Sequence, residues 1–579
     1  MKKLNLFSFA LAALMLGACS SESEFGDGGQ SVAVGEKGYV SMSINLPTTT
    51  KGTRGVSFDD GTYEEYKVNN AKLLIFAGGN EAEATCSGVY DLDISAFLEN
   101  GSDQITSTAQ IVQAITKPAG AHLYALVVLN DNGLITSEEF NGKSFSYFYT
   151  TAKNLTVAQL NGNGFFMSNS PLNNVGGGKN DPSTGNVTTL ATIDASKIFG
   201  TENEALNAPA ATVYVERALG KVTLNGSTTL SSGHNENIAS YTIAGWTLDN
   251  TNKKTYLVRN VTSMSTWLGY VANGNYRFVE SSPLETGVFW YRTYFGIDPN
   301  YTGTYTPADE FNMIEPVPAT LSAADGKEAE YCLENTFDVD GMKDINTTRA
   351  IVAAKLNVKG AESGSGDFYL LNNNTSVIYT KESVIKEVKR IWMNYLGTII
   401  NTYVKNGTFT EDNVTVTLSN VVDGAQENGG FVTVTGIVMN DTGLGIEYQD
   451  GKSLENINEA ARNYLTTINS EEVLTIAYYK GGVAYYEVLI KHFGNSETPW
   501  TAPVSGTESY PDPDKEQKWL GRYGILRNNW YELSVTGLKN IGSPEVPDVV
   551  GKWDDQVEQY ISVEINILPW AKRSQEVEL

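Results

Sequence analysis

Cysteine, histidine and positive charge are all scarce in this sequence. Among 579 residues there are three Cys and three His, and 41 Lys and Arg face 67 Asp and Glu, for a formal net charge of −26. Three cysteines exclude a disulfide framework. Cys86 and Cys332 could pair in an oxidising compartment, but two buried free thiols is the preferred reading. With His122, His234 and His492 outside any His-Glu-x-x-His, and no Cys-x-x-Cys, the chain lacks zinc ligands, and no metal or cofactor is expected. His122 and His492 lie in or beside apolar strand-like runs and read as packing residues. No Gly-x-Ser-x-Gly nucleophile turn occurs. Gly451-Lys452-Ser453 has the ending of a phosphate loop, but Gly445 is one position too far upstream, so the stretch reads as a turn before a helix. Asp338-Val339-Asp340-Gly341-Met342-Lys343-Asp344 alternates like part of a calcium loop yet lacks the closing Glu, and reads as a solvated turn. No catalytic residue is assigned. The acidic balance also excludes a nucleic-acid partner, because phosphate affinity needs clustered Lys and Arg. It suits an extracellular surface that resists unspecific association.

Long apolar runs are absent beyond the N-terminus, so what the chain does have there stands out. Lys2 and Lys3 precede a mostly apolar stretch, Leu4 to Leu16, too short for a permanent membrane span. It ends in Leu16-Gly17-Ala18-Cys19, the pattern at which a lipoprotein signal peptide is removed and the cysteine thiol acylated. Residues 1–18 are therefore expected to be a signal peptide. Cys19 is the expected lipidation site, by which the chain would be held to an outer membrane. The polar, acidic Ser20-Ser21-Glu22-Ser23-Glu24 resembles the export tag of Bacteroidales surface lipoproteins.

The remainder is β-like, with 31 Tyr, 21 Phe and 55 Gly. Short alternating runs bounded by Gly, Asn, Asp and Pro recur throughout, which predicts β-sandwich domains. Two segments have helical spacing instead: Lys381 to Val404, with Val384, Ile385, Val388, Ile391, Trp392, Tyr395 and Ile399, and Leu454 to Ile468. Both read as insertions packed on a sandwich. The run Val213 to Leu224 looks like one strand closing a first domain and another opening a second. It divides the chain into residues 55–217 and 218–579.

The two ends carry the most specific pattern. Val40, Met42, Ile44 and Leu46 alternate with Ser41, Ser43 and Asn45, as in a half-buried strand. Pro47 to Gly55 comes next, polar and basic, and reads as an exposed loop open to proteolysis. A cut between Arg54 and Gly55, or alternatively after Lys51, would detach the first strand together with its lipid. At the other end Ile561, Val563, Ile565 and Ile567 alternate just as cleanly. One terminal strand could replace the other in a groove of a second molecule. Four buried aliphatic side chains would contribute about 6–12 kcal/mol to such an exchange, and a giver-to-receiver contact of this kind builds an open filament.

These features, with Glu216-Arg217-Ala218-Leu219-Gly220-Lys221-Val222, Trp246 to Lys253, Tyr331-Cys332-Leu333-Glu334-Asn335-Thr336, Tyr485 to Phe493, Trp530 to Gly537 and Ile567 to Arg573, resemble the Bacteroidales fimbrillins, subunits of type V pili. The likeness is nearest to the major subunit of the short (minor) fimbriae. The resemblance implies a mainly β fold of two transthyretin-like β-sandwich domains, with a few helical insertions mostly in the C-terminal one. It implies export as an outer-membrane lipoprotein whose propeptide, residues 19–54, is cut away by an Arg- or Lys-specific surface protease. The displaced strand would then hold Val40, Met42, Ile44 and Leu46, and the donor strand of a neighbouring copy Ile561, Val563, Ile565 and Ile567. The implied partners are copies of the chain in a head-to-tail filament, with accessory tip and anchor subunits, and the implied role is a stalk subunit supporting adhesion and biofilm formation. A tip or accessory adhesin, and a glycan-binding β-sandwich lipoprotein, are the competing readings.

Overall fold

The computed structural model describes residues 31–46, 57–58, 61–97, 108–174, 186–262, 271–272, 275–276, 290–293, 295–300, 307–337, 341–419, 421–422, 425–426, 429–493, 520–554, 561–568 and 571–572. The chain is mainly β and forms two β-sandwich domains. The first contains β1 (Lys37–Asn45), β2 (Ala71–Gly78), β3 (Thr85–Asp91), β4 (Thr108–Thr116), β5 (His122–Leu129), β6 (Met167–Asn169), β7 (Ala191–Ile193) and β8 (Ala211–Arg217). Their order is β3-β2-β5-β6-β8-β1-β4, with β7 added to β5. Strand β8 is shared between the two layers. Its first half runs parallel to β1, while Val215, Glu216 and Arg217 pair antiparallel with β6. The layers close on an apolar core that includes Val40, Met42, Ile44, Leu74, Phe76, Leu126, Phe148 and Val213.

Ala218 separates β8 from β9 (Leu219–Asn225), which opens the second sandwich. One of its sheets has the order β11 (Asp325–Leu333), β9, β19 (Trp530–Leu538), β20 (Ile561–Leu568). The other is β10 (Ile238–Asp249), β12 (Arg349–Val358), β18 (Val483–Leu489). Val222, Leu224, Trp246, Val352, Tyr486 and Leu533 fill the space between them. Cys86 and Cys332 are buried free thiols, one in each sandwich core.

The two long helices, α1 (Lys381–Ile399) and α2 (Leu454–Ile468), belong to the second half of the chain. They share a third apolar core with the sheet β13 (Phe368–Leu371), β17 (Ile476–Tyr479), β15 (Gly430–Val432) and the pair β14 (Val414–Leu418) and β16 (Val434–Met439). Val384, Val388, Trp392 and Leu396 form the buried stripe of α1 at a spacing of four. The helix ends at Ile399, five residues before the Val404 limit expected from spacing, because Val404 is taken up in a strand pair with Tyr448. Ser453 caps α2 through a capping box with Asn456, so the Gly-Lys-Ser stretch is the helix entry expected of it. Among the described residues no helix is long and apolar enough to cross a membrane.

Candidate functional site

The alternation in β1 is a local property of residues 40–46, and the sheet uses it fully. Val40, Met42 and Ile44 are completely buried and Leu46 nearly so. The strand lies inside the sheet, with a neighbour on each side. Every residue from Lys37 to Asn45 is in register with β4, from Thr116 back to Thr108. On the other side Met42 to Asn45 run parallel to Ala211 to Tyr214. The Asn45 side-chain amide extends that ladder by donating to the Val213 carbonyl at 3.3 Å.

The alternation suggests a half-buried strand, and the structure corrects this. Ser41, expected on a solvated face, is fully buried. A one-turn helix, Glu202–Asn207, covers this side of β1 and β4. Gln110 Nε2 donates both to Ser41 Oγ, at 3.2 Å, and to the Leu206 carbonyl, tying strand to helix. The position therefore has room for little more than a hydroxymethyl group.

Within the described residues, β4 pairs with no strand but β1. Removing β1 would uncover the apolar core and both flanking edges at once. The unpaired backbone groups on both edges would then be a template for another strand. Arg54, Gly55 and Lys51, the expected maturation residues, lie outside the described residues, as does Cys19.

The last strand sits differently. Among the described residues β20 is at the edge of its sheet, antiparallel to β19 alone. Register sets Ile561, Val563, Ile565 and Ile567 opposite the buried Leu538, Val535, Leu533 and Tyr531. In this structure both terminal strands are thus seated in their own chain, in different sandwiches.

The segment leading to β20 is fastened to the second sandwich. Ser543 exchanges two backbone hydrogen bonds with Tyr485, and Tyr479 and Tyr486 donate to the Gly542 and Asn540 carbonyls. Asp344 is buried and its carboxylate accepts from the amides of Val550, at 3.0 Å, and Gly551, at 2.7 Å. This corrects the solvated-turn reading of Asp344: its acid serves as a backbone cap in the interior. Of the remaining turn, residues 338–340 lie outside the description.

The histidines carry no visible chemistry. His492 is buried with Nδ1 2.8 Å from the Tyr531 hydroxyl, and His234 Nδ1 is 3.0 Å from the Ser231 carbonyl. His122, expected to pack, is exposed at the first position of β5.

A charged cluster at the junction of the sandwiches was not legible as such. Glu216, at the end of β8, is clasped by Arg259 through Nε at 3.0 Å and Nη2 at 3.1 Å. Arg527 lies 3.3 Å from Glu334, whose carboxylate also accepts from the Arg527 amide. All four are buried. Burial pushes the Glu216 carboxyl up, against the pull of Arg259 and Arg527. Burial disfavours the Arg259 charge too, but Glu216 and Glu334 outweigh it and hold the guanidinium above its usual range. Beside them Lys221 Nζ is 2.7 Å from Glu65, and Tyr331 donates to the same carboxylate. Burial raises the Glu65 carboxyl, but Lys221 and the hydrogen bonds prevail and hold it below the usual carboxylate range. Charged residues inside otherwise apolar runs were the available signal. Their partners, up to 266 residues apart, were not.

Residues 477–576 match the family model described as "Major fimbrial subunit protein type IV, Fimbrillin, C-terminal". This span contains β18, β19 and β20, and it bears out the fimbrillin resemblance for that part of the chain. No curated protein matches the chain. Among solved structures, a fimbrilin from Porphyromonas gingivalis W83 is 14% identical, with 94% of this chain and 100% of that chain covered and a TM-score of 0.38. A cell-adhesion protein from Parabacteroides distasonis ATCC 8503 is 12% identical, with coverages of 92% and 96% and a TM-score of 0.35. The tip fimbrial protein Mfa3 from Porphyromonas gingivalis is 11% identical, with coverages of 91% and 99% and a TM-score of 0.30.

Proposed function

We propose, from the premise that residues 477–576 are a fimbrillin C-terminal region, that this chain is a stalk subunit of a bacterial surface fimbria. Its work is structural rather than enzymatic: it polymerises by strand exchange after proteolysis, for adhesion and biofilm formation. The observation that carries the reading is the place of β1. It is an internal strand that buries Val40, Met42 and Ile44, with Leu46 buried directly after it, and an Arg-Gly bond follows within ten residues.

While the chain is intact, β1 is tethered to its own slot, and a tether keeps its effective concentration in the millimolar range. No incoming strand competes well against that. Cutting after Arg54 turns β1 and its lipidated Cys19 into a separate peptide, which on leaving is diluted away. The empty slot then accepts the tail of another copy. For β20 the move exchanges a site with one paired edge for one with two. The second hydrogen-bonded ladder offsets the loss of contacts with β19. The proposed division into a propeptide at 19–54, a sandwich at 55–217 and a second at 218–579 obeys the same logic, since the cut separates the first from the rest. A surface protease of Arg or Lys specificity and accessory tip and anchor subunits complete the assembly.

The test is limited trypsin digestion of the purified, non-lipidated chain, beside a version ending before Tyr560, with SDS gels of unboiled samples as the readout. The intact-tail protein should be clipped near Arg54 and form an SDS-resistant ladder, and the shortened one should be clipped and stay monomeric. If both are cleanly cut and both remain monomers, the donor assignment fails, and a tip adhesin or glycan-binding lipoprotein takes its place.

A further inference from the structure

The two terminal strands share more than an apolar period. Aligned without gaps, Val40-Ser41-Met42-Ser43-Ile44-Asn45-Leu46 and Ile561-Ser562-Val563-Glu564-Ile565-Asn566-Ile567 have the same Ser, the same Ile and the same Asn at matching places. Each matching place answers a demand made by the slot. We infer that the tail of a second copy enters the β1 slot in β1's own direction and in one register. Ile561 then stands for Val40 and Ile567 for Leu46, and Ser562 and Asn566 are the residues that fix this register. This inference rests on the strand-exchange reading above.

The slot discriminates because its two faces are unlike. The inner face takes an aliphatic residue at every second position, which by itself would accept a strand slipped by two. The outer face does not. The place of Ser41 is closed over by the helix Glu202–Asn207 and Gln110, so it admits a small residue that accepts a hydrogen bond. The place of Asn45 offers the Val213 carbonyl to an amide donor. Ser43 lies between them and is only partly buried. In the proposed register Ser562, Asn566 and Glu564 meet the places of Ser41, Asn45 and Ser43.

The alternatives fail on the same places. With Val563 at the place of Val40, Glu564 would sit where Ser41 is enclosed, burying an unpaired carboxylate. Slipping the other way puts Gln559 in the fully buried place of Val40. Reversed, the strand keeps its aliphatic face but sets the larger Asn566 under the helix and leaves Ser562 too short to reach the Val213 carbonyl. The donor would therefore lie antiparallel to β4 and parallel to β8, as β1 does.

Cross-linking reads the register directly. Ser41 is opposite Val112 on β4, Tyr39 opposite Ala114 and Asn45 opposite Thr108. After trypsin, a full-length S562C/V112C double variant should give a ladder that becomes boil-resistant on oxidation and reverts with reductant. The S562C/A114C and S562C/T108C variants should give roughly tenfold less, since facing Cα atoms of antiparallel strands lie within disulfide reach and those two or more positions away do not. A boil-resistant ladder from the Ala114 variant would mean a slipped strand, and one from the Thr108 variant a reversed strand. Either overturns the inference while leaving strand exchange standing. A wild-type chain that is cut and forms no ladder removes the strand-exchange reading itself. As a second measure, S562L should slow ladder formation about tenfold by overfilling the enclosed place, whereas E564L should leave it unchanged. Equal rates for the two would count against Ser562 as a selector.

Discussion

The two sandwiches begin alike and then diverge. In each, the opening strand lies between one parallel and one antiparallel neighbour: β1 between β8 and β4, β9 between β19 and β11. Both openers are covered on both faces. The outer cover of β9 includes charge, with Lys221 paired to Glu65 of the first sandwich and 3.8 Å from the Trp530 ring. That of β1 is a one-turn helix over a serine. Opener β9 is also continuous with the chain on both sides, whereas Arg54 comes within ten residues of the end of β1. A strand can be essential to a core and still be replaceable if no buried charge locks it and its covalent connection can be cut.

The strongest way to break this comparison is to place one charge in each terminal strand. Met42→Asp should destabilise the uncut chain by about 4 kcal/mol or more, because an internal strand cannot escape without opening the sandwich. Val563→Asp should lower the melting temperature far less, since an edge strand can fray locally. The same change should nonetheless abolish the ladder after trypsin. Melting curves of the uncut proteins and gels of the cut ones separate these effects. Equal destabilisation by both changes would mean that edge and interior places are not distinct.

The locked junction gives the next largest effect. Arg259→Leu leaves Glu216 buried without its bidentate partner, a change expected to lose about 3–5 kcal/mol of stability. The double variant with Glu216→Leu should recover much of that, and a denaturant series on the three proteins measures the coupling. If Arg259→Leu alone is harmless, the sandwiches are not joined through this cluster.

The smallest effect is confined to the first sandwich. Glu81 accepts a hydrogen bond from the Thr189 amide, and burial pushes its carboxyl from 4.5 up to about 7. The folded state thus holds this proton more tightly than the unfolded one. The associated stability is complete below about pH 4.5 and is lost as pH rises toward 7. Glu81→Gln should match the parent in acid and exceed it by about 3 kcal/mol at pH 8. Melting temperatures across that range check the sign.

Much of the candidate site could be read directly from the chain. The buried identities of Val40, Met42, Ile44 and Leu46 come from a period of two, which is set by the local geometry of an extended backbone. The same holds for α2, whose limits at Leu454 and Ile468 agree with its spacing. Ser41 departs from its expected place because the helix that covers it lies some 160 residues away, and alternation says nothing about what packs over a strand. Asp344 departs for the same reason, since the amides it caps come from Val550 and Gly551.

The sequence by itself determined that the protein is built largely of strands, that its two ends carry apolar faces of the same alternation, and that the usual metal-binding and nucleophile motifs are not among its residues. Each of these depends on neighbours within a few positions. Only the tertiary structure decided that β1 is internal while β20 is at an edge, that β8 runs parallel to β1, and that Glu216, Arg259, Glu334 and Arg527 meet. Those facts depend on which distant segments share a sheet or a core, and that choice is made by the burial of the whole chain at once.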